Sequence, residues 1–394
     1  MTYKTIKTAL FIIYILFIES IAYAQFATYK DFNYQYTPHK KSYKLISPIY
    51  VNRIEGITPF IGFSKAFFYL YNTSIYGTTG YGFTDNQWKY SIGIEKILYN
   101  KNRLLLNGEY FNTTATNDDW KLTLFENSLA YFFFREDFFD YYWKKGFRLF
   151  ADQLLFQKHH IRIEYSQYDY KDIGASTGFA KSLFTNKKVP INPHITEGDE
   201  TSVKIYIYIN NMEERNRFLG ELGWHITCVY EKTMDDFKTD GIFLSGNYSR
   251  LLHNIHKAHL TILAGSRTGK PEPQHLISFG GIGSLTAFPD RFKHSQHCIC
   301  SRIEYDFSND IFIRTRLIRY SNLENLAIRF FIEPGNAWSS ADNDNYFFNG
   351  ISRISLLTDV GISVLMRDVF RFDLSRQLSH GFNNWRITMR LNKK

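Results

Sequence analysis

The segment 203–210, Val-Lys-Ile-Tyr-Ile-Tyr-Ile-Asn, decides the fold class. Successive side chains of a strand point to opposite faces, so Val203, Ile205, Ile207 and Ile209 share one side while Lys204, Tyr206, Tyr208 and Asn210 share the other. One wholly aliphatic face and one polar, charged face fit a wall between hydrocarbon and a wet interior. The same split sets Ile161, Ile163 and Tyr165 against Arg162, Glu164 and Ser166. Near the C-terminus it sets Trp385, Ile387, Met389 and Leu391 against Arg386, Thr388 and Arg390. A soluble sandwich also alternates, but it has no need of charges on strand after strand.

Working outward, strand-length segments fall at 58–66, 69–80, 87–98, 102–113, 147–156, 214–228, 241–251, 256–266, 297–307, 311–320, 325–333, 357–366 and 369–376. With the three above they predict about 16 strands. Composition points the same way: aromatic residues are 18% of the 394, with 36 Phe and 28 Tyr. Mean hydropathy is nevertheless only -0.30. A barrel reconciles the two, with rings facing lipid and its interfaces and polar residues lining the lumen. Beyond the N-terminal stretch no window of about 20 apolar residues exists, which excludes helical spans. The expected fold is therefore all-β, a single transmembrane antiparallel barrel of the outer-membrane type.

Lys4 and Lys7, the apolar stretch Ala9 to Ile18, and Ala22-Tyr23-Ala24 predict a signal peptide cut before Gln25. The expected organisation is signal 1–24, tail 25–50 and barrel 51–394, placed in the outer membrane of a Gram-negative bacterium. That leaves no room for a folded domain ahead of the barrel. The net charge of +9 reads as lumen Arg and loop Lys facing anionic lipid heads, with outer-membrane lipids as partners and nucleic acid excluded by export.

Two stretches resist a strand reading. Residues 117–146 carry Phe132-Phe133-Phe134 and the acids Glu136, Asp137 and Asp140; the rings suit an interface belt or surface loop, and the acids a solvated turn. Residues 171–200 have little periodicity and read as a long extracellular loop. Elsewhere chemistry is sparse. Cys298 and Cys300, near His294 and His297, lack the geometry of a metal turn and read as plain lumen or loop residues, as does Cys228. His159, His160 and Ser166 are the nearest approach to a hydrolytic set. No cofactor, metal or catalytic residue is expected.

The segment 280–289, Gly-Gly-Ile-Gly-Ser-Leu-Thr-Ala-Phe-Pro, resembles the inward-folded loop of the bacterial surface antigen family, the barrel superfamily that includes BamA and the two-partner-secretion transporters. There the loop reads Gly-Gly-x-x-Ser-Leu-Arg-Gly-Phe/Tyr. Phe331-Ile332-Glu333-Pro334-Gly335-Asn336-Ala337-Trp338 is similar to the family's Phe-x-Asp-x-Gly-Asn-x-Trp strand. Phe370 to Leu374 resembles its penultimate strand, and Asn52-Arg53-Ile54-Glu55-Gly56 an opening common in its short members. The resemblance implies a short form without periplasmic repeats that assists protein or lipid translocation or assembly, with protein or lipid as cargo. A passive channel is the alternative, and a membrane hydrolase the lesser one.

The resemblance also implies site residues: loop positions Gly280, Gly281, Ser284, Leu285, Thr286, Ala287 and Phe288, and wall positions Arg302, Glu304, Asp306, Arg329, Phe331, Glu333 and Gly335. In the family the loop Arg reaches a wall acid. Here Thr286 stands in the Arg position and Ala287 in that of Gly, so Thr286 cannot make a charged pair with Glu333. The expectation is that Glu333 pairs instead with Arg302 or Arg329.

Overall fold

The computed structural model describes residues 43–46, 49–67, 72–98, 103–174, 188–216, 220–252, 256–307, 326–340, 346–366, 370–379 and 385–391. Its strands are β1 (Tyr43–Ile46), β2 (Ile49–Asn52), β3 (Gly56–Phe67), β4 (Thr73–Gly82), β5 (Gln87–Leu98), β6 (Leu104–Ala115), β7 (Tyr142–Leu155), β8 (His159–Lys171), β9 (Gly198–Asn210) and β10 (Glu213–Asn216). There follow β11 (Gly220–Asp235), β12 (Thr239–Leu251), β13 (Lys257–Gly269), β14 (Ile277–Phe279), β15 (Lys293–Ser295), β16 (His297–Asp306), β17 (Leu326–Trp338), β18 (Leu357–Met366), β19 (Phe370–Gln377) and β20 (Trp385–Leu391). One helix, α1 (Leu124–Phe134), lies between β6 and β7.

Eighteen of these segments form one sheet, with β14 and β15 making a separate hairpin. β2 continues β1 along β3, and β10 continues β9 along β11. The sheet thus holds 16 antiparallel strands. Among the described residues no ladder joins the first strand to β20. The signal-peptide segment and the expected strand 311–320 lie outside the described residues.

Parity does what the sequence demands. Ile163 is 55% exposed on the outer face of β8, whereas Glu164 and Ser166 are buried inside. Connections at one end are tight, as between Leu155 and His159, and at the other long, as at 116–141 and 270–296. Barrels of this type keep short turns inside the cell envelope and long loops outside, so the second end is the outer one.

Strand boundaries differ from the pattern in places. β4 begins at Thr73, and β11 runs seven residues past 228 to Asp235, where φ of 69° turns the chain. The larger correction concerns 117–146. This stretch holds α1, and its acids are not in a solvated turn: Asp137 is only 3% exposed. Thr123 starts the helix through a capping box, accepting from the Glu126 amide at 3.1 Å while its own amide donates to the Glu126 carboxylate at 2.8 Å. In the 171–200 stretch Asn192 is likewise buried, against expectation, because its side chain bridges other loops.

Candidate functional site in the lumen

The 270–296 connection turns back into the barrel mouth. β14 and β15 form its stem, and the tip at 280–288 folds on itself: the Gly280 amide donates to Ser284 Oγ at 2.8 Å and the Gly281 amide to the Leu285 carbonyl at 3.0 Å. Glycine at 281 is required, since φ is 73° and a Cβ there would lie 1.7 Å from the Asp290 carboxylate. Leu285 and Phe288 then insert into an apolar cluster with Ile277, Phe279, Cys298, Cys300, Ala337 and Leu357. The two cysteines are thus packing residues beneath the loop, both free thiols.

The polar side of the tip meets the wall. The Thr286 amide donates to Glu333 Oε2 at 2.7 Å and its hydroxyl to Glu333 Oε1 at 3.1 Å. The Ala287 amide donates to Asp359 at 2.7 Å, Gln377 donates to the Ala287 carbonyl at 2.8 Å, and Arg386 donates to the Phe288 carbonyl. β17, β18, β19 and β20 therefore all hold the loop. Arg302 supplies the guanidinium that the loop lacks: it pairs with Glu333, donates to Thr286 Oγ1 at 3.2 Å, and lies 3.8 Å from the Phe331 ring centre. The cation at this contact comes from the wall, and Thr286 completes the contact with its hydroxyl.

The remaining wall residues form one network on the inner face. Glu304 accepts from Arg302 at 2.6 Å and from Arg329 at 3.1 Å, and also pairs with Arg371. Arg329 also meets Asp306, and so is not the partner of Glu333. Asp373 draws in Arg371 and Arg390, and Ser363 accepts from Arg302 at 3.1 Å. Buried charges persist in this way only when each is paired and hydrogen-bonded. Gly335 lets β17 approach Cys300, where a Cβ would come within 2.6 Å. Sequence reasoning omitted Asp359, Ser363, Arg371, Gln377 and Arg386. The signal was present, since Asp359, Gly361 and Ser363 alternate with Val360, Ile362 and Val364.

A second cluster closes the same mouth. Arg53, at the β2–β3 turn, is 0% exposed; it binds Asp140 at 2.9 Å and Asn192 at 3.0 Å. Asn127 of α1 donates to Asp137 and to the Tyr141 hydroxyl, both at 2.8 Å, and Arg291 binds Asp140 at 2.8 Å. Burial holds the Tyr141 phenol well above its ordinary range, which keeps it a donor to Asp137 at 3.0 Å. Three connections and the first hairpin are thereby tied together.

The residues singled out for hydrolysis or metal binding have other partners. His160 bonds Asp152 at 3.0 Å, while Ser166 bonds Ser202 and Tyr168. Six residues along β8 separate His160 from Ser166, a span of about 20 Å. His297 is hydrogen-bonded to Ser266 at 2.8 Å, away from any ligand-like cluster of three metal-binding groups among the described residues.

No family model matches this sequence, and no curated protein matches it. Solved structures do. BamA from Haemophilus ducreyi lacking POTRA domains 1-3 superposes with a TM-score of 0.54 at 10% identity, over 89% of this chain and 75% of that one. CdiB from Acinetobacter baumannii gives 0.42 at 11% identity, over 88% of this chain and 58% of the other. CdiB from Escherichia coli gives 0.46 at 11% identity, over 90% and 63%. The fold expected from the loop and strand motifs is thus shown by the BamA likeness: an outer-membrane type β-barrel.

Proposed function

We propose that this barrel assists the passage or insertion of protein, or of lipid, at the outer membrane of a Gram-negative bacterium, with the 280–288 loop as its internal gate. The observation that carries this reading is the attachment of that loop to four successive wall strands. A passive pore needs an open path, whereas this loop is held against the wall by apolar packing and hydrogen bonds to buried charged groups. The cargo on this reading is an unfolded or amphipathic molecule that exchanges contacts with the polar inner face.

Conductance of the full chain in planar bilayers tests it, beside a variant deleted for residues 283–288 whose folding is checked by heat-modifiable migration. A low, flickering current that becomes large on deletion is expected. A large, steady wild-type current, unchanged by deletion, overturns the gate and leaves a simple channel.

A further inference from the structure

Helix α1 is built inside out. Its inward stripe, Leu124, Asn127, Ser128 and Tyr131, follows the i, i+3, i+4, i+7 spacing of one helical face and is mostly polar. Asn127, Ser128 and Tyr131 are buried. The stripe turned away from it, Phe125, Leu129 and Phe132, is apolar and partly exposed. A helix in water orients the other way, burying apolar side chains and wetting polar ones.

Its position gives the inversion a cause. α1 packs chiefly on β2, which among the described residues has a ladder with β3 alone. Backbone amides here are met by side chains: Val51 of β2 donates to Ser128 Oγ at 3.1 Å, and Arg53, in the turn that follows, to Asp137 Oδ2 at 3.0 Å. The Val51 side chain pairs with Ile57 on the face that carries Ile61 and Phe63, both exposed, yet Val51 itself is buried. Something apolar covers it, and α1 is the element packed there.

Height along the barrel is fixed by a short chain of contacts. Val51 pairs with Ile57, whose carbonyl accepts from the Phe83 amide at 3.2 Å. Phe83 belongs to an outward aromatic cluster with Tyr81 and Trp88. Such rings mark the level of the membrane interface. α1 therefore sits beside the sheet at the height of the outer aromatic belt, apolar stripe outward.

We propose that α1 is an outer-leaflet interfacial helix that seals the edge of the sheet at β2, with Phe125, Leu129 and Phe132 in contact with lipid acyl chains. Unpaired amides are costly at membrane depth, and Ser128 and Asp137 satisfy those of Val51 and Arg53. The helix is thus a seal that can be lifted without breaking any strand ladder. This inference rests on the membrane location of the barrel and not on its transport role.

Lipid photo-crosslinking tests it on the full chain in phosphatidylcholine vesicles, with p-benzoylphenylalanine replacing Phe132 or, separately, Leu129. The same group at Ile163 serves as the lipid-facing reference and at Tyr346 as the loop reference. Lipid adducts at 132 and 129 comparable to those at 163, and several-fold above those at 346, are expected. Adducts at 163 without adducts at either helix position overturn the proposal. Absence of adducts at 163 overturns the membrane location and the proposal with it. In Ser128→Ala, hydrogen exchange at the Val51 amide is expected to rise several-fold with heat-modifiable migration retained; unchanged exchange removes the edge-capping role.

Discussion

Two connections close the outer mouth, and they do so in different ways. The 270–296 loop is held by many separate contacts of modest strength, to Glu333, Asp359, Gln377 and Arg386, each from a different strand. The 116–141 segment converges on a few fully buried groups, above all Arg53, which alone joins the first hairpin to Asp140 and Asn192. A closure made of many weak contacts can release in steps. One built around a single buried cation holds until that cation is removed.

The largest expected effect tests this contrast directly. Arg53→Ala takes the guanidinium away from Asp140, which keeps Arg291, and from Asn192, which keeps the Tyr141 backbone; losing these buried hydrogen bonds of a charged group costs about 3 kcal/mol. The urea midpoint of unfolding in vesicles should fall by that equivalent, with loss of heat-modifiable migration. An unchanged midpoint would show that the knot bears no weight. Asn127→Ala should cost less, about 1–3 kcal/mol, because it leaves Asp137 with Tyr141 and the Arg53 amide while orphaning the Phe138 amide. If Asn127→Ala proves as damaging as Arg53→Ala, the closure does not hinge on the cation.

The same contrast explains what was legible in the sequence. The lumen loop could be read because its requirements are local: glycine where φ is positive, Ser284 to close the turn, and alternation to place Arg302, Glu304 and Glu333 on one inner face. The choice between Arg302 and Arg329 needed coordinates, since both share that face and only cross-strand register decides which meets Glu333. The knot could not be read. Arg53, Asn127, Asp137, Asp140 and Asn192 come from distant positions, and each alone has the appearance of a surface residue. One local sign was available, since Thr123-Leu124-Phe125-Glu126 ahead of an apolar run is a capping-box pattern and marks the start of α1. What hid the helix was its inverted face, which in a globular protein would be read as a belt.

The smallest expected effect is at the loop itself. Thr286→Val removes the hydroxyl but keeps the shape, and the Thr286 amide and Arg302 still satisfy Glu333. A hydrogen bond to a charged group contributes about 1.5–3 kcal/mol, but Glu333 and Arg302 remain paired with each other, so the unfolding midpoint should fall only slightly. The gate should respond more than the fold does, because Thr286 Oγ1 is the point where loop, Glu333 and Arg302 meet. More frequent brief openings in bilayer recordings, at nearly unchanged stability, would show that loop release is a local event resting on many small contacts. If Thr286→Val instead lowers stability as far as Arg53→Ala, the two closures are one cooperative unit, and opening the lumen requires the whole outer mouth to come apart.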